Sequence, residues 1–398
     1  MYIYIKMSNN MIVTKSQIET PNIYHTYYDL EIINNDTTLS LPVPLRFSEI
    51  RNMPYLNNPS DYYCSVIRFN VETGSGLPVI IPNVQINQLN VNLTIYSFTL
   101  KYKTYESQEY LIYVPSDLTK SFPNPPIQFQ DIENQYYFCY STQAFMQMVN
   151  NTLTTAFNSL NSLVVAGSDT LPTTNPPWFD FDPIQQLPTL NSDILGYDNS
   201  LENPIEIYMN LPCYTLFNSF NVINYGYNVT NGKNVKFVIS NNNGTNIFQL
   251  SNYNALQSYC EISPVPVWNP VSNIVFTSQL LPVAPSLTAV PKVYNGPSNL
   301  FNVGNNSNFE PIITDFLIPI TSVNRYQPSI TYSPSGEYRL IDLYGNQPLS
   351  AINLQVYFKD KFGGLHPIYL NSGCSASIKI MFRRKDYGNI NISSKTLF

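Results

Sequence analysis

The chain has 398 residues, of which 43% are hydrophobic, 14% aromatic and only 12% charged, with 31 Pro and 15 Gly. Low charge with this much Tyr, Phe, Val and Ile excludes a disordered chain, which needs low hydrophobicity and high net charge. A formal net charge of −6 excludes a general nucleic-acid coat, because neutralising phosphates requires Lys and Arg in excess.

Residues 1–25 lack the pattern of a core element and read as an extended N-terminal arm. The opening Met1-Tyr-Ile-Tyr-Ile-Lys6 has neither the charged start nor the long apolar stretch of a secretory signal. Strands are expected at Tyr27–Ile33 and Asp61–Val71, where β-branched and aromatic residues suit a pleated, half-buried surface. Leu89, Val91, Leu93 and Ile95 alternate with Asn90, Asn92, Thr94 and Tyr96, which predicts a strand with the first set buried. Glu109–Val114 and Tyr136–Tyr140 continue the series.

A helix then interrupts the strands. Phe145, Met148, Val149, Leu153, Ala156, Phe157 and Leu160 follow i, i+3, i+4 spacing behind Ser141, a good N-cap, so one amphipathic helix is predicted over 142–162. Residues 165–200 carry five prolines and read as loop. A short strand follows at Pro204–Met209, and the Asn- and Gly-rich stretch 224–254 reads as turns and hairpins.

Strands resume at Asn273–Thr277, Ile312–Ile318 and Glu337–Leu343. In the last third Ile352, Leu354, Val356 and Phe358 alternate with polar residues, Leu365–Leu370 follows a Gly363-Gly364 turn, and Ile378, Ile380 and Phe382 close the series facing inward. No period of 20 to 50 residues recurs, which disfavours a propeller or solenoid. No apolar run approaches 18 residues, so no membrane span is expected.

Few residues suit catalysis. His25 and His366 are the only histidines, in contexts that do not suggest a positioned imidazole, and the five cysteines are scattered without a CxxC pair, reading as reduced and partly buried thiols. Phosphate-cradling glycine motifs and zinc-ligand spacing are absent. Trp178-Phe-Asp-Phe-Asp182 sets two carboxylates beside aromatic rings, an arrangement used for glycoside hydrolysis or as oxygen ligands for calcium. Its plainer reading is an aromatic-anchored loop, since two carboxylates two residues apart in extended chain repel. No catalytic, cofactor-binding or metal-binding residue is therefore assigned.

Charge is unevenly spread. From residue 321 onward there are nine Lys/Arg and four Asp/Glu, leaving eleven basic and twenty-two acidic residues elsewhere. Lys379, Arg383, Arg384 and Lys385 cluster near the end, as a solvated strand terminus or as a contact for packaged DNA or an acidic neighbour.

Several stretches resemble the penton (minor capsid) proteins of virophages and Polinton-like viruses. The resemblance is strongest in Ser333-Pro-Ser-Gly-Glu-Tyr-Arg-Leu-Ile-Asp-Leu343, Pro348-Leu349, Leu354 through Gly363, His366-Pro367, Gly373 and Ser377 through Phe382. Weaker stretches at 63–69, 140–151, 205–218 and 268–282 extend it over most of 25–388.

The resemblance implies an all-β chain with a single jelly roll, a sandwich of two antiparallel sheets, carrying one helix and a loop-rich insertion. It further implies a structural, non-enzymatic role in the virion: a homopentamer at each vertex of an icosahedral double-stranded DNA particle, beside a double-jelly-roll major capsid protein. Low charge and abundant Tyr and Phe suit broad subunit interfaces. The expected layout is an arm at 1–25, a first part of the jelly roll at 26–200, an insertion at 201–265, a second part at 266–388 and a tail at 389–398. A glycan-binding attachment protein and a glycosidase are the competing classes.

Overall fold

The computed structural model describes residues 25–35, 43–72, 77–124, 135–227, 229–230, 232–287, 292–294, 300–302, 309–317, 329–334, 339–361 and 363–385. The expected tail, and all of the expected arm but His25, lie outside them. The chain divides into two compact units. One comprises Met1–Gly74, Asn273–Leu317 and Pro328–Phe398; the other comprises Ser75–Ser272 with Ile318–Gln327.

In chain order the first unit opens with β1 (His25–Ile33), β2 (Arg46–Ile50) and β3 (Tyr62–Glu72). The second unit supplies β4 (Leu93–Tyr102), β5 (Tyr105–Ile112), the helix α1 (Thr142–Ala166), β6 (Trp178–Asp182) and β7 (Leu187–Asp193). It continues with β8 (Glu206–Met209), α2 (Leu211–Leu216), β9 (Val222–Asn224), β10 (Val235–Phe237), β11 (Ile247–Gln249) and β12 (Asn254–Tyr259). The first unit resumes with β13 (Val271–Thr277), β14 (Ile312–Leu317), β15 (Ser329–Tyr332), β16 (Ala351–Asp360), β17 (Leu365–Pro367) and β18 (Ser375–Arg384).

Eight principal strands, with the short β17 added beside β16 and not counted among them, make the first unit a sandwich. One sheet runs β1–β18–β3–β15; the other places β2 and β17 along β16, then β13 and β14. Counted along the chain, the sheets hold strands 1-8-3-6 and 2-7-4-5, all antiparallel where register is fixed, which is the double Greek key of a jelly roll. Period-two patterning builds it: Ile352, Leu354, Val356 and Phe358 of β16 and Ile378, Ile380 and Phe382 of β18 are all buried. On β3 the buried residues Cys64 and Val66 change phase to Phe69 and Val71. The β3–β18 register shifts there, Lys379 facing Arg68 but Ile380 facing Val66, so Ile67 is the extra residue of a bulge. The sheets meet through aromatic rings, Phe69 lying edge-on to Phe276 at 5.0 Å and Phe316 stacking on Tyr332 at 4.3 Å.

The second unit has its own core. One sheet runs β9–β10–β8–β4–β5 and the other β11–β12–β7–β6. Helix α1 packs against β5, β4 and β6, bridging edge strands of both sheets. Its stripe from Phe145 to Val164 is buried, Ser141 caps its start by accepting the Ala144 N–H at 3.3 Å, and the Gly167 N–H closes its end on the Leu163 carbonyl. It runs one turn beyond the predicted 162 because Val164 continues the apolar stripe.

Several expectations are corrected here. The segment Ser75–Ser272, α1 included, forms the compact stretch that lies between the third and fourth jelly-roll strands. Local patterning does not show which sheet an antiparallel strand joins; β4 and β5 pair with β8 and with each other. The alternation at 89–95 matches full burial at Val91 alone, Leu93 and Ile95 being half-buried. Leu89 is 97% exposed, β4 begins at Leu93, and Tyr96, Phe98, Leu100 and Tyr102 carry the buried side. Tyr136–Tyr140 makes one bridge, Ile80 to Cys139, and no strand. The expected loop 165–200 contains the β6–β7 hairpin. Pro188 is tolerated there because β7 meets β12 only from Thr189 onward, so its missing N–H breaks no ladder. Of Glu337–Leu343, Ile341–Asp342 alone pairs with β3 among the described residues.

Candidate assembly surfaces

The basic cluster lies on the jelly roll's solvent side. Asp29 of β1 sits directly opposite Lys379 of β18, which sits opposite Arg68 of β3. The Asp29 carboxylate accepts from Lys379 Nζ at 3.0 Å and from Arg68 at 2.9 Å, so one acid ties together two cations across three strands. Lys385 reaches Asp342 at 3.0 Å and the Leu343 carbonyl at 3.1 Å, and covers the rings of Tyr63 and Tyr344. Such exposed pairs contribute at most about 1 kcal/mol each. Their consequence is electrostatic: Lys379 and Lys385 are each paired with an acid in place.

Trp178–Asp182 is β6, an edge strand and not a loop. Asn150 on α1 clasps its backbone, donating to the Phe179 carbonyl at 2.9 Å and accepting the Phe179 N–H at 2.7 Å. Trp178 Nε1 donates to the Tyr253 hydroxyl at 3.2 Å, and Phe179 stacks on Phe217 at 4.8 Å. Asp180 accepts the N–H of Phe181 at 2.8 Å, and Asp182 those of Ile184 and Gln185 at 2.6 and 3.1 Å, an Asx turn that starts the hairpin. The carboxylates are used on their own backbone.

Of the two histidines, His366 has a context that spacing did not reveal. Its Nε2 lies 2.9 Å from Asp360 Oδ2, both side chains being buried, while Gly364 N–H donates to Asp360 Oδ1 at 2.8 Å and the imidazole lies against Phe358. The pair locks the turn between β16 and β17; Asp-x-x-Gly-Gly-x-His was its signal. His25 begins β1 and stacks on Tyr27.

All five cysteines are free, four buried and Cys374 partly so. Burial pushes the Cys64 thiol up to about 12 and raises the others, which keeps them protonated and unreactive. Among the described residues no group of three or more His, Cys, Asp or Glu is placed to hold a metal ion, and no helix is long and apolar enough to cross a membrane.

One surface escaped sequence reading. Ile86, Leu89, Ile112, Val114, Leu118 and Phe122 are all exposed in the second unit. Backbone bonds from Gln85 to Leu93 and from Tyr113 to Asn92 gather 85–93 and 112–114 at one end, and Phe122 packs edge-on to Tyr136. Exposed apolar side chains grouped in this way mark contact surfaces. The alternation at 89–95 concealed this one by suggesting a buried face.

Fold and surfaces together define a single jelly-roll structural protein with a large insertion, built from sheets and outward-facing contact surfaces. A family model for the Sputnik minor capsid protein V18/19 matches residues 26–384, and the chain belongs to that family. It is a minor capsid protein of a virion.

It is 28% identical over 222 residues to the structural protein V19 of Sputnik virophage, covering 54% of this chain and 98% of V19. It is 36% identical over 148 residues to Sputnik protein V18, covering 35% of this chain and 86% of V18. A chain in the 3.5 Å cryo-EM structure of the Sputnik virophage has a TM-score of 0.74 at 28% identity, with 92% of this chain and 99% of that one covered. The crystal structure of the mavirus penton protein has the same fold, with a TM-score of 0.58 at 14% identity over 90% of this chain and 99% of that one.

Proposed function

We propose that the chain forms the vertex of an icosahedral double-stranded DNA particle, five copies closing into a ring beside a double-jelly-roll major capsid protein. The observation that carries this reading is the likeness, over 92% of the chain, to a chain of the Sputnik particle. A ring requires heterologous contacts that close, and the sandwich offers rigid sheet surfaces for them. The role is structural and non-catalytic, and the boundaries relevant to assembly are a jelly roll interrupted between β3 and β13 by one insert.

Packaged DNA is a weaker partner for the basic edge, because Lys379 and Lys385 are already held by Asp29 and Asp342. Native mass measurement of the purified oligomer tests the ring. Five copies are expected; a stable trimer or monomer under all conditions overturns it.

A further inference from the structure

Residues 75–272 hold five Lys/Arg and thirteen Asp/Glu, so the second unit is strongly acidic. Each of its cations, Lys101, Lys103, Lys120, Lys233 and Lys236, already lies within 3.7 Å of a carboxylate of the same unit. Two such units brought together repel over most of their surface. They can meet only where neither carries charge.

The sequence provides two such places. No charged residue occurs from Thr73 to Leu100 or from Ile207 to Gly232. The first stretch exposes Ile86 and Leu89, grouped with Ile112 and Val114; the second exposes Ile223, Tyr225 and Tyr227, the last of them 89% open to solvent. Topology sets the two groups on opposite flanks. β5 and β9 are the outermost strands of the sheet β9–β10–β8–β4–β5. Every neighbouring pair in it is antiparallel, so β5 and β9 run the same way and leave the sheet at the same end, at Ile112 and Asn224. Four strand spacings, about 19 Å, separate them.

Both surfaces are fixed before any contact. The Gln85 N–H donates to the Leu93 carbonyl and the Tyr113 N–H to the Asn92 carbonyl, each at 2.8 Å. On the other flank Asn224 Oδ1 accepts the Gly226 N–H at 2.8 Å, and Asn234 Nδ2 donates to the Gly226 carbonyl at 2.9 Å. Groups held in this way lose little freedom on binding. The surfaces are also unlike and complementary. One is aliphatic, with the exposed amides of Asn87, Gln88 and Asn90 around it; the other offers tyrosines, whose rings are apolar and whose hydroxyls need polar partners. Unlike surfaces on opposite flanks make a head-to-tail contact, the kind that closes into a ring.

We propose that the Tyr225–Tyr227 turn of one copy docks on the Ile86, Leu89, Ile112 and Val114 surface of the next copy. The inference rests on the ring assembly proposed above, and its test is read separately from ring number. Leu89→Cys and Tyr227→Cys are made in separate full chains, one carrying a size tag, both with Cys374→Ser because the other four thiols are buried. The two are co-expressed, and the purified oligomer is treated with a short bis-maleimide. Links joining tagged to untagged chains are expected in the mixture and in neither variant alone. Links between like variants only, or no links, overturn the contact even where native mass gives five copies. Unlike links in a ring of another number uphold the contact and overturn the pentamer. Independently, Tyr227→Asp is expected to weaken oligomerisation about tenfold, and adding Leu89→Lys to recover most of that loss. An unchanged oligomer in Tyr227→Asp, or a double variant no better than the single one, assigns these surfaces to some other partner and overturns the proposal.

Discussion

The jelly roll and its insert are both antiparallel sheet structures, yet they bury their residues differently. In the jelly roll the strands β16 and β18 put every second side chain into the core between the sheets. On the alternate side Gln355, Tyr357 and Lys379 stay partly exposed, as the Asp29–Lys379–Arg68 row illustrates, although Asn353 and Met381 are buried there. In the insert β4 is covered on both sides. Tyr96, Phe98, Leu100 and Tyr102 face the helix and the aromatic cluster, while Ser97 and Thr99 on the other face are buried as well. The cover over Thr99 includes the turn at Gly232, where an added Cβ would come within 3 Å of both Gln108 Nε2 and Thr99 Oγ1. A sandwich with one wet face per sheet can be tiled against neighbours, and a unit wrapped on both faces is a self-contained module.

The contrast is broken most severely at Phe179. It touches Phe98, Phe217, Phe220 and Phe237, so Phe179→Ala removes the centre of the insert's core at a cost of about 3–5 kcal/mol. Hydrogen exchange read by mass spectrometry is expected to show protection lost across 77–272 and retained in β3, β16 and β18. Equal loss in both units would refute their independence.

A smaller effect is expected at Gly232, which combines φ +99 with that close approach. Gly232→Ala should cost about 1–3 kcal/mol by backbone strain and displacement of the cover. The shift in urea midpoint measures it, and the jelly-roll turn at Gly345, with positive φ but open space around it, supplies the comparison.

Acid should separate the units next. Burial works to raise the carboxyl of Glu206, but bonds from Lys236 at 2.9 Å and the Tyr208 hydroxyl at 2.7 Å win and hold it below its ordinary 4.5. A depressed carboxyl contributes stability above its unfolded pKa and loses it as pH falls through the folded value. Glu206→Gln is therefore expected to destabilise the insert at neutral pH, with the gap from wild type narrowing below about pH 4.5, while the jelly roll keeps its own pH slope. Urea midpoints measured for both proteins across that range check it, and a gap that does not change with pH would remove Glu206 as the cause.

Legibility in the sequence followed the same division. The strands of the last third could be read because one face is wet: Ile352 through Phe358 and Ile378 through Phe382 keep a strict period of two. Helix α1 was legible from its 3.6-residue stripe and from Ser141. The phase of β4 was misread because both its faces are covered, so the short Leu89–Ile95 alternation outweighed the longer Tyr96–Tyr102 set. The β6–β7 hairpin was hidden by prolines that lie where no ladder bond is needed. The pairing of β4 with β8 was illegible for a topological reason: it closes over about a hundred residues, and no local pattern encodes it. On the candidate site, the contact between His366 and Asp360 crosses a turn that spacing alone left unread.

The smallest expected effect discriminates between classes of protein. Asp180 is exposed and its carboxylate oxygen accepts the N–H of the next residue, a bond that the amide oxygen of asparagine can also accept. Asp180→Asn therefore leaves the β6 edge, its clasp by Asn150 and the aromatic cluster behind it intact, and stability should change by no more than about 0.5 kcal/mol. A glycoside hydrolase would lose turnover by orders of magnitude on the same change, because its carboxylate acts as acid, base or nucleophile. Oligomer mass and melting midpoint matching the wild type, with no sugar-releasing activity in either protein, is the result expected of a chain whose carboxylates shape turns. Measurable glycoside cleavage by the wild type that disappears in Asp180→Asn would move the Trp178–Asp182 strand from the insert's structural frame to a catalytic site.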